Sequence, residues 1–180
     1  MFGPTVLVFS LLYLLLPTMQ VVVPSEEVSV SVGVAVMNER SLGSDDLWGS
    51  ADACLVAPEH LEVAECFDSE NELDERLAEV LADGASALAA CTGTIRLYDG
   101  ANYGTPMVAV VAGSSTWVNL STYSFDNKTS SFKIGACDAR LAMNANGGGS
   151  WYPSGSTQAY DEVASMSSTW NNAISSVKSA

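Results

Sequence analysis

Two six-residue stretches carry the oxygen chemistry of this chain. Asp126-Asn127-Lys128-Thr129-Ser130-Ser131 and Asn171-Asn172-Ala173-Ile174-Ser175-Ser176 share one form: two Asx residues, two spacers, two serines. Amides, carboxylates, hydroxyls and backbone carbonyls are hard oxygen donors, and calcium takes about six to eight oxygen ligands. Asx side chains also brace tight turns, so one such stretch alone reads as an ordinary polar turn. Two of them at equivalent points of a repeat are far more specific.

The repeat is visible when the sequence is laid on itself at an offset of about 45. Phe125–Lys133 then falls on Trp170–Lys178, and Leu97–Gly104 falls on Leu141–Gly148 at an offset of 44. Cys91 and Cys137 open the two units. Each unit holds several short strand-like runs separated by Gly and Asn turns, which predicts an all-β sandwich. The strand candidates are Thr94–Tyr98, Met107–Val111, Ser131–Ile134, Ala139–Met143, Ser150–Tyr152 and Ile174–Lys178.

These stretches resemble the calcium motif of microbial βγ-crystallins, (N/D)-(N/D)-x-x-(S/T)-S, which occurs once per Greek-key unit. LYDGANYGT (97–105) is similar to the aromatic hairpin of a first unit. NANGGGSWYP (144–153) resembles the second-unit hairpin of the secreted bacterial metalloproteinase-inhibitor branch of that superfamily. The resemblance covers residues 91–180, and ECFDSENELDERLAEV from Glu65 resembles a lead-in found in such proteins. It departs at Thr105, where the hairpin pattern has glycine, and at Ala142 and Gly147, where it has aromatics. Trp151 and Tyr152 are expected to fill that space.

The resemblance implies two Greek keys of four strands each, packed as a wedge, with two calcium sites that share ligands between the two loops. Carried over by position, Asp126 and Asn171 brace their loops or coordinate, and Asn127 and Asn172 give oxygen ligands. Lys128 and Ala173 offer carbonyls, Ser130 and Ser175 offer hydroxyls, and Ser131 and Ser176 close the turns. The expected fold class is therefore all-β, two Greek-key units forming a βγ-crystallin-like sandwich, preceded by an acidic segment with one helix.

That acidic segment holds most of the charge. The chain has 21 acidic and 7 basic residues and a net charge of −14. Residues 1–90 hold 16 of the acids and only Arg40 and Arg76 as bases, while residues 91–180 are neutral. Seven bases cannot neutralise a phosphate backbone, so nucleic acid is excluded as a partner. Residues 37–65 read as loop. Ser69 with Glu72 forms a capping box, followed by Leu73, Leu77, Val80, Leu81 and Leu88 at helical spacing, which predicts a helix over about 69–90. Its carboxylates Glu70, Glu72, Asp74 and Glu75 suit the helix dipole. Residues 26–90 form a pro-segment, a spacer or a small helical subdomain.

Residues 1–25 carry no charge, and Thr5–Leu16 has the length of a signal-peptide core. Export is expected, as a signal peptide or, if uncleaved, a signal anchor in a membrane. An exported chain with Cys54, Cys66, Cys91 and Cys137 reads as having two disulfides. Three pairings are open; Cys54–Cys66 with Cys91–Cys137 is preferred. One histidine, His60, and no nucleophile–base pair or paired carboxylates in residues 91–180 speak against an enzyme.

Three functions follow as expectations. The first is an exported, non-enzymatic calcium-binding module that is structural or stress-related. The second is a proteinaceous inhibitor of secreted metallopeptidases, with the turn around Gly113-Ser114-Ser115, preceded by Val110 and Val111, as its reactive loop. The third is an envelope- or glycan-interacting, toxin-like module using Trp117, Trp151 and Trp170.

Overall fold

Each Greek-key unit contributes three strands to one sheet and sends its third strand to the other. The computed structural model describes residues 51–84, 93–113 and 115–180, all inside the unit Glu39–Ala180. The export segment, the strand-like run Glu27–Val36, Leu88 and Cys91 lie outside the described residues. In the first unit, β3 (Gly93–Gly100), β4 (Gly104–Ala112) and β6 (Ser131–Ile134) lie in sheet A, while β5 (Val118–Asn119) lies in sheet B. In the second, β7 (Ala139–Ala142), β8 (Trp151–Thr157) and β10 (Ser176–Ser179) lie in sheet B, while β9 (Glu162–Val163) lies in sheet A. The sheet orders β4-β3-β6-β9 and β8-β7-β10-β5 are thus mirror readings of one plan. This is the two-Greek-key sandwich that the resemblance implies.

Sheet A extends beyond that plan. Residues 37–65 read as loop in the sequence, yet Ala53–Val56 forms β1 and Glu65–Phe67 forms β2. β1 runs parallel to β4, from Ala53 opposite Met107 to Val56 opposite Val110, and β2 pairs antiparallel to β1. No alternation marks β1 because all four of its residues are buried, as those of a strand covered on both faces must be. The expected disulfide Cys54–Cys66 joins these two strands. Its separation of 12 residues corresponds to about 3 kcal/mol of loop-closure entropy removed from the unfolded chain. Cys137 is also disulfide-bonded; its expected partner, Cys91, lies outside the described residues.

The period-2 alternation of sheet A sorts its side chains between two cores. Val108, Val110, Ile95 and Leu97 point between the sheets, where they meet Phe125, Phe132, Leu141, Ile174 and Val177. Met107, Ala109, Val111 and Tyr98 point the other way, onto Leu73, Leu77 and Val80 of helix α1 (Glu70–Gly84). Each fully buried large apolar side chain contributes roughly 1.5–3 kcal/mol. The helix starts with the expected Ser69 cap, the Glu72 N–H donating to Ser69 Oγ at 3.3 Å, while the Glu72 carboxylate reaches one residue further back and accepts the Asp68 N–H at 3.3 Å in place of that of Ser69. Its last residue is Gly84, and residues 85–92 are not described. Among the described residues no helix is long and apolar enough to cross a membrane.

Charge clasps the helix to the sheet. Arg96 on β3 donates to Glu70 Oε1 and to Asp74 Oδ1, both at 2.5 Å, and the Tyr98 hydroxyl donates to Glu70 Oε1 at 2.8 Å. The ion pairs are partly exposed, so each is worth about 1 kcal/mol at most. Burial, and then the Glu70 carboxylate, hold the Tyr98 phenol above its ordinary value of 10.0. Because the unfolded chain ionises first, the stability this gives is complete below about pH 10 and is lost as pH rises further. Urea denaturation across that range is expected to show a steeper alkaline loss for the natural chain than for Tyr98→Phe; equal slopes would count against this account.

Candidate functional site

The exchange of third strands makes the two loops that lead into β6 and β10 cross. They touch reciprocally: the Asn127 N–H donates to the Ile174 carbonyl at 3.0 Å, and the Asn172 N–H donates to the Thr129 carbonyl at 2.9 Å. Asn127 and Asn172 both adopt φ of 55°. Asn is among the few non-glycine residues that tolerate this left-handed region, which explains the residue type at the second Asx position.

The same symmetry governs the side chains. Ser175 Oγ donates to Asn127 Oδ1 at 3.3 Å, and Ser130 Oγ donates to Asn172 Oδ1 at 3.1 Å. Each pair joins a hydroxyl from one unit to an amide oxygen from the other. Lys128 and Ala173 directly follow the left-handed asparagines and are half-buried. Asp126 Oδ2 accepts from Asn127 Nδ2 at 3.1 Å, while Asp126 Oδ1 is buried with no hydrogen-bond partner. Asn171 is exposed, and its N–H donates to the Ser167 carbonyl at 2.8 Å. Thr129 Oγ1 is the other buried oxygen without a partner among the described side chains.

Ser131 and Ser176 do different work. Both are fully buried. Ser131 Oγ donates to the Gly100 carbonyl at 2.7 Å and accepts the Tyr103 N–H at 3.0 Å. Ser176 Oγ donates to the Asn144 carbonyl at 2.7 Å and accepts the Gly147 N–H at 3.0 Å. Each hydroxyl staples its unit's first hairpin to the strand that follows the motif.

The two hairpins are finished differently. In the first, Tyr98 and Tyr103 meet edge to face at 5.5 Å, and a Cβ on Gly100 would lie 2.8 Å from the Gly104 Cα. In the second, Gly147 (φ 76°) lies so close to the Trp117 ring that no side chain fits. Trp151 Nε1–H donates to the Gly147 carbonyl at 2.7 Å and its ring lies 5.7 Å from Trp117. Trp151 therefore fills the space as expected, but with Trp117. Tyr152 turns inward, onto Phe132 and Trp170.

A calcium ion suits this donor set on two observations. The paired Asn and Ser oxygens stand 3.1 and 3.3 Å apart, which is the spacing of neighbouring oxygens around a cation bound at about 2.3–2.6 Å. The partnerless Asp126 Oδ1 is an oxygen that a buried site must satisfy. Among the described residues no three His, Cys, Asp or Glu side chains gather as a metal cluster, so amides and hydroxyls would dominate the coordination. Elsewhere, Val110 and Val111 are 0% and 2% exposed. The turn that follows them includes Ser114, which lies outside the described residues.

Solved structures with similar folds are βγ-crystallin domains. One from Flavobacterium johnsoniae is 24% identical over 48% of this chain and 92% of that chain, with a TM-score of 0.39. One from Clostridium beijerinckii is 19% identical over 48% and 95%, with a TM-score of 0.40. A βγ-crystallin from an archaeon is 20% identical over 50% and 100%, with a TM-score of 0.39. No family model and no curated protein matches the chain. The Greek-key assignment stands on strand order and register.

Replacing either staple serine by alanine removes two hydrogen bonds and leaves a part-buried N–H and a carbonyl without their partner, which costs about 1–3 kcal/mol. Ser131→Ala and Ser176→Ala are expected to lower unfolding free energy by similar amounts in urea titration. An unchanged midpoint in both would refute the staple role.

Proposed function

We propose that the chain is an exported, non-enzymatic calcium-binding protein of βγ-crystallin type, in which calcium stabilises the fold. The observation that supports this most is the reciprocal pairing of Asn127 with Ser175 and of Asn172 with Ser130. One half of each candidate site comes from each unit, so an ion there would bridge the loops that hold the sandwich together. Asn127, Asn172, Ser130 and Ser175 would supply side-chain oxygens, Lys128 and Ala173 backbone carbonyls, and Asp126 and Asn171 a further ligand or brace. Calcium would supply charge to bind these oxygens; it would carry no reaction. With Asp126 as the one carboxylate in the two motifs, affinity is expected in the range of roughly 10⁻⁶ to 10⁻³ M.

A site filled at about 100 times its dissociation constant stabilises the folded state by about 2.7 kcal/mol. The melting temperature is therefore expected to rise between EDTA and millimolar calcium, and the rise to shrink in Asn127→Ala and Asn172→Ala. No difference between EDTA and calcium sinks the proposal.

One observation favours a second reading, inhibition of a secreted metallopeptidase. The segment between β1 and β2 is closed by Cys54–Cys66 and presents Val63, which is 58% exposed. It is pinned by the His60 and Leu61 N–H groups, both donating to the Ala57 carbonyl. A constrained loop with an exposed apolar side chain loses little entropy on entering a peptidase cleft. Micromolar protein is expected to slow a thermolysin-like peptidase, and Val63→Asp to abolish the effect; full peptidase activity in the presence of the natural chain removes this reading.

A further inference from the structure

The two sheets end differently at equivalent places. β4 and β8 are the second strands of their units, and β1 covers the outer edge of β4. Among the described residues β8 is the last strand of sheet B. Met107 to Ala112 are buried accordingly, whereas Trp151 to Ser156 are half-buried or exposed. Along this open edge lies a cleft of about 480 Å³, lined by Trp151, Trp170, Ser150, Ser154, Pro153 and the glycines at 149 and 155. It is shallow and open to solvent, a surface on which a ligand would lie more than a pocket that would enclose one.

The chemistry of the lining is narrow. It contains two indole rings, two serine hydroxyls and glycine backbone, and no charged side chain. Both rings are braced by neighbours in the fold. Trp170 meets the Tyr152 ring at 5.4 Å, and Trp151 lies against Trp117 with the Arg140 guanidinium 5.0 Å from its ring. The Trp151 N–H is already donated to the Gly147 carbonyl, so what this residue offers a ligand is its ring. Braced aromatic surfaces give contact area at little entropic cost.

Those features select a class of ligand. A pyranose ring has an apolar C–H face that lies flat on an indole and a rim of hydroxyls that meets serines and peptide groups. A peptide adding as a strand to β8 would find no N–H at Pro153. The lining itself carries no charged side chain, and the Arg140 guanidinium beside it is already engaged over the Trp151 ring. We propose that this cleft binds a neutral glycan, a chain of pyranose rings for which cellohexaose and chitohexaose serve as probes, with Trp151 and Trp170 as its stacking platforms. The site is independent of the calcium reading.

Gly155 gives a clean test, because a Cβ built there meets nothing within 4 Å. Gly155→Gln therefore places a side chain in the cleft without displacing packed atoms. The full chain is titrated by calorimetry with cellohexaose and with chitohexaose, each in EDTA and in calcium. Saturable binding of either sugar is expected in both conditions. Gly155→Gln and Trp151→Ala should each weaken it roughly tenfold or more, with the melting temperature of Gly155→Gln unchanged. If that midpoint moves, Ser154→Gln, at an exposed position, replaces it as the blocking variant. The proposal is overturned if neither sugar binds at millimolar concentration, or if the blocking variant binds as well as the natural chain. It is equally overturned if heparin or a decaproline peptide binds the cleft in place of both sugars.

Discussion

Each unit gives its third strand away, and the rest of the sandwich follows from that exchange. With β5 in sheet B and β9 in sheet A, neither sheet is complete without the other unit. The chain must then cross back from β5 to β6 and from β9 to β10, and the two crossings meet. The backbone bonds from Asn127 to Ile174 and from Asn172 to Thr129 fix that meeting. Asx and Ser residues gather there because the crossing needs left-handed turns and buried hydrogen-bond partners. The same residue types are oxygen donors, so the architecture that closes the fold also assembles the candidate cation sites.

The acidity of the chain has a partly structural use. Glu70 and Asp74 of α1 meet Arg96, and Glu65 and Glu79 meet Arg76. These pairs orient the helix more than they hold it, since pairs this exposed contribute little. The apolar contacts of Leu73, Leu77 and Val80 with the outer face of sheet A supply most of the attraction. Residues 51–84 thus add a helical layer to one side of the sandwich. The outer side of sheet B has no such layer among the described residues. There the Trp117–Trp151 pair, with Lys178 over Trp117 and Arg140 over Trp151, covers the sheet.

This difference breaks the symmetry of the repeat. The internal bonds of the two units match almost atom for atom, down to the serine staples at 2.7 and 3.0 Å. Their outer edges do not match. The first unit is sealed by β1 and α1, so its second strand is uniformly apolar from Met107 onward. Among the described residues the second unit keeps an open edge, and its second strand carries Trp, Pro, Ser and Gly instead. The first unit is the attachment point for the described part of the lead-in.

Much of this is legible in the residues themselves. The repeat offset pairs Asn127 with Asn172 and Ser131 with Ser176, and the strands from Thr94, Met107, Ser131, Ala139, Ser150 and Ile174 all lie on or overlap β3, β4, β6, β7, β8 and β10. Local signals suffice for such features, because turn chemistry, capping and alternation act within a few residues. The helix start at Ser69 is one example. The two-residue strands β5 and β9 are not legible, since their extended state depends on partners in the opposite sheet. β1 escapes a sequence reading for a related reason: burial on both faces erases alternation, and its parallel partner lies more than 50 residues away. Sequence alone thus determined the doubled motif, the capped helix and the location of the charge. Only the tertiary structure decided which hydroxyl meets which amide, and that the described part of the acidic segment seals one sheet and not the other. Those are contacts between distant segments, and their energy exists only once the chain has closed.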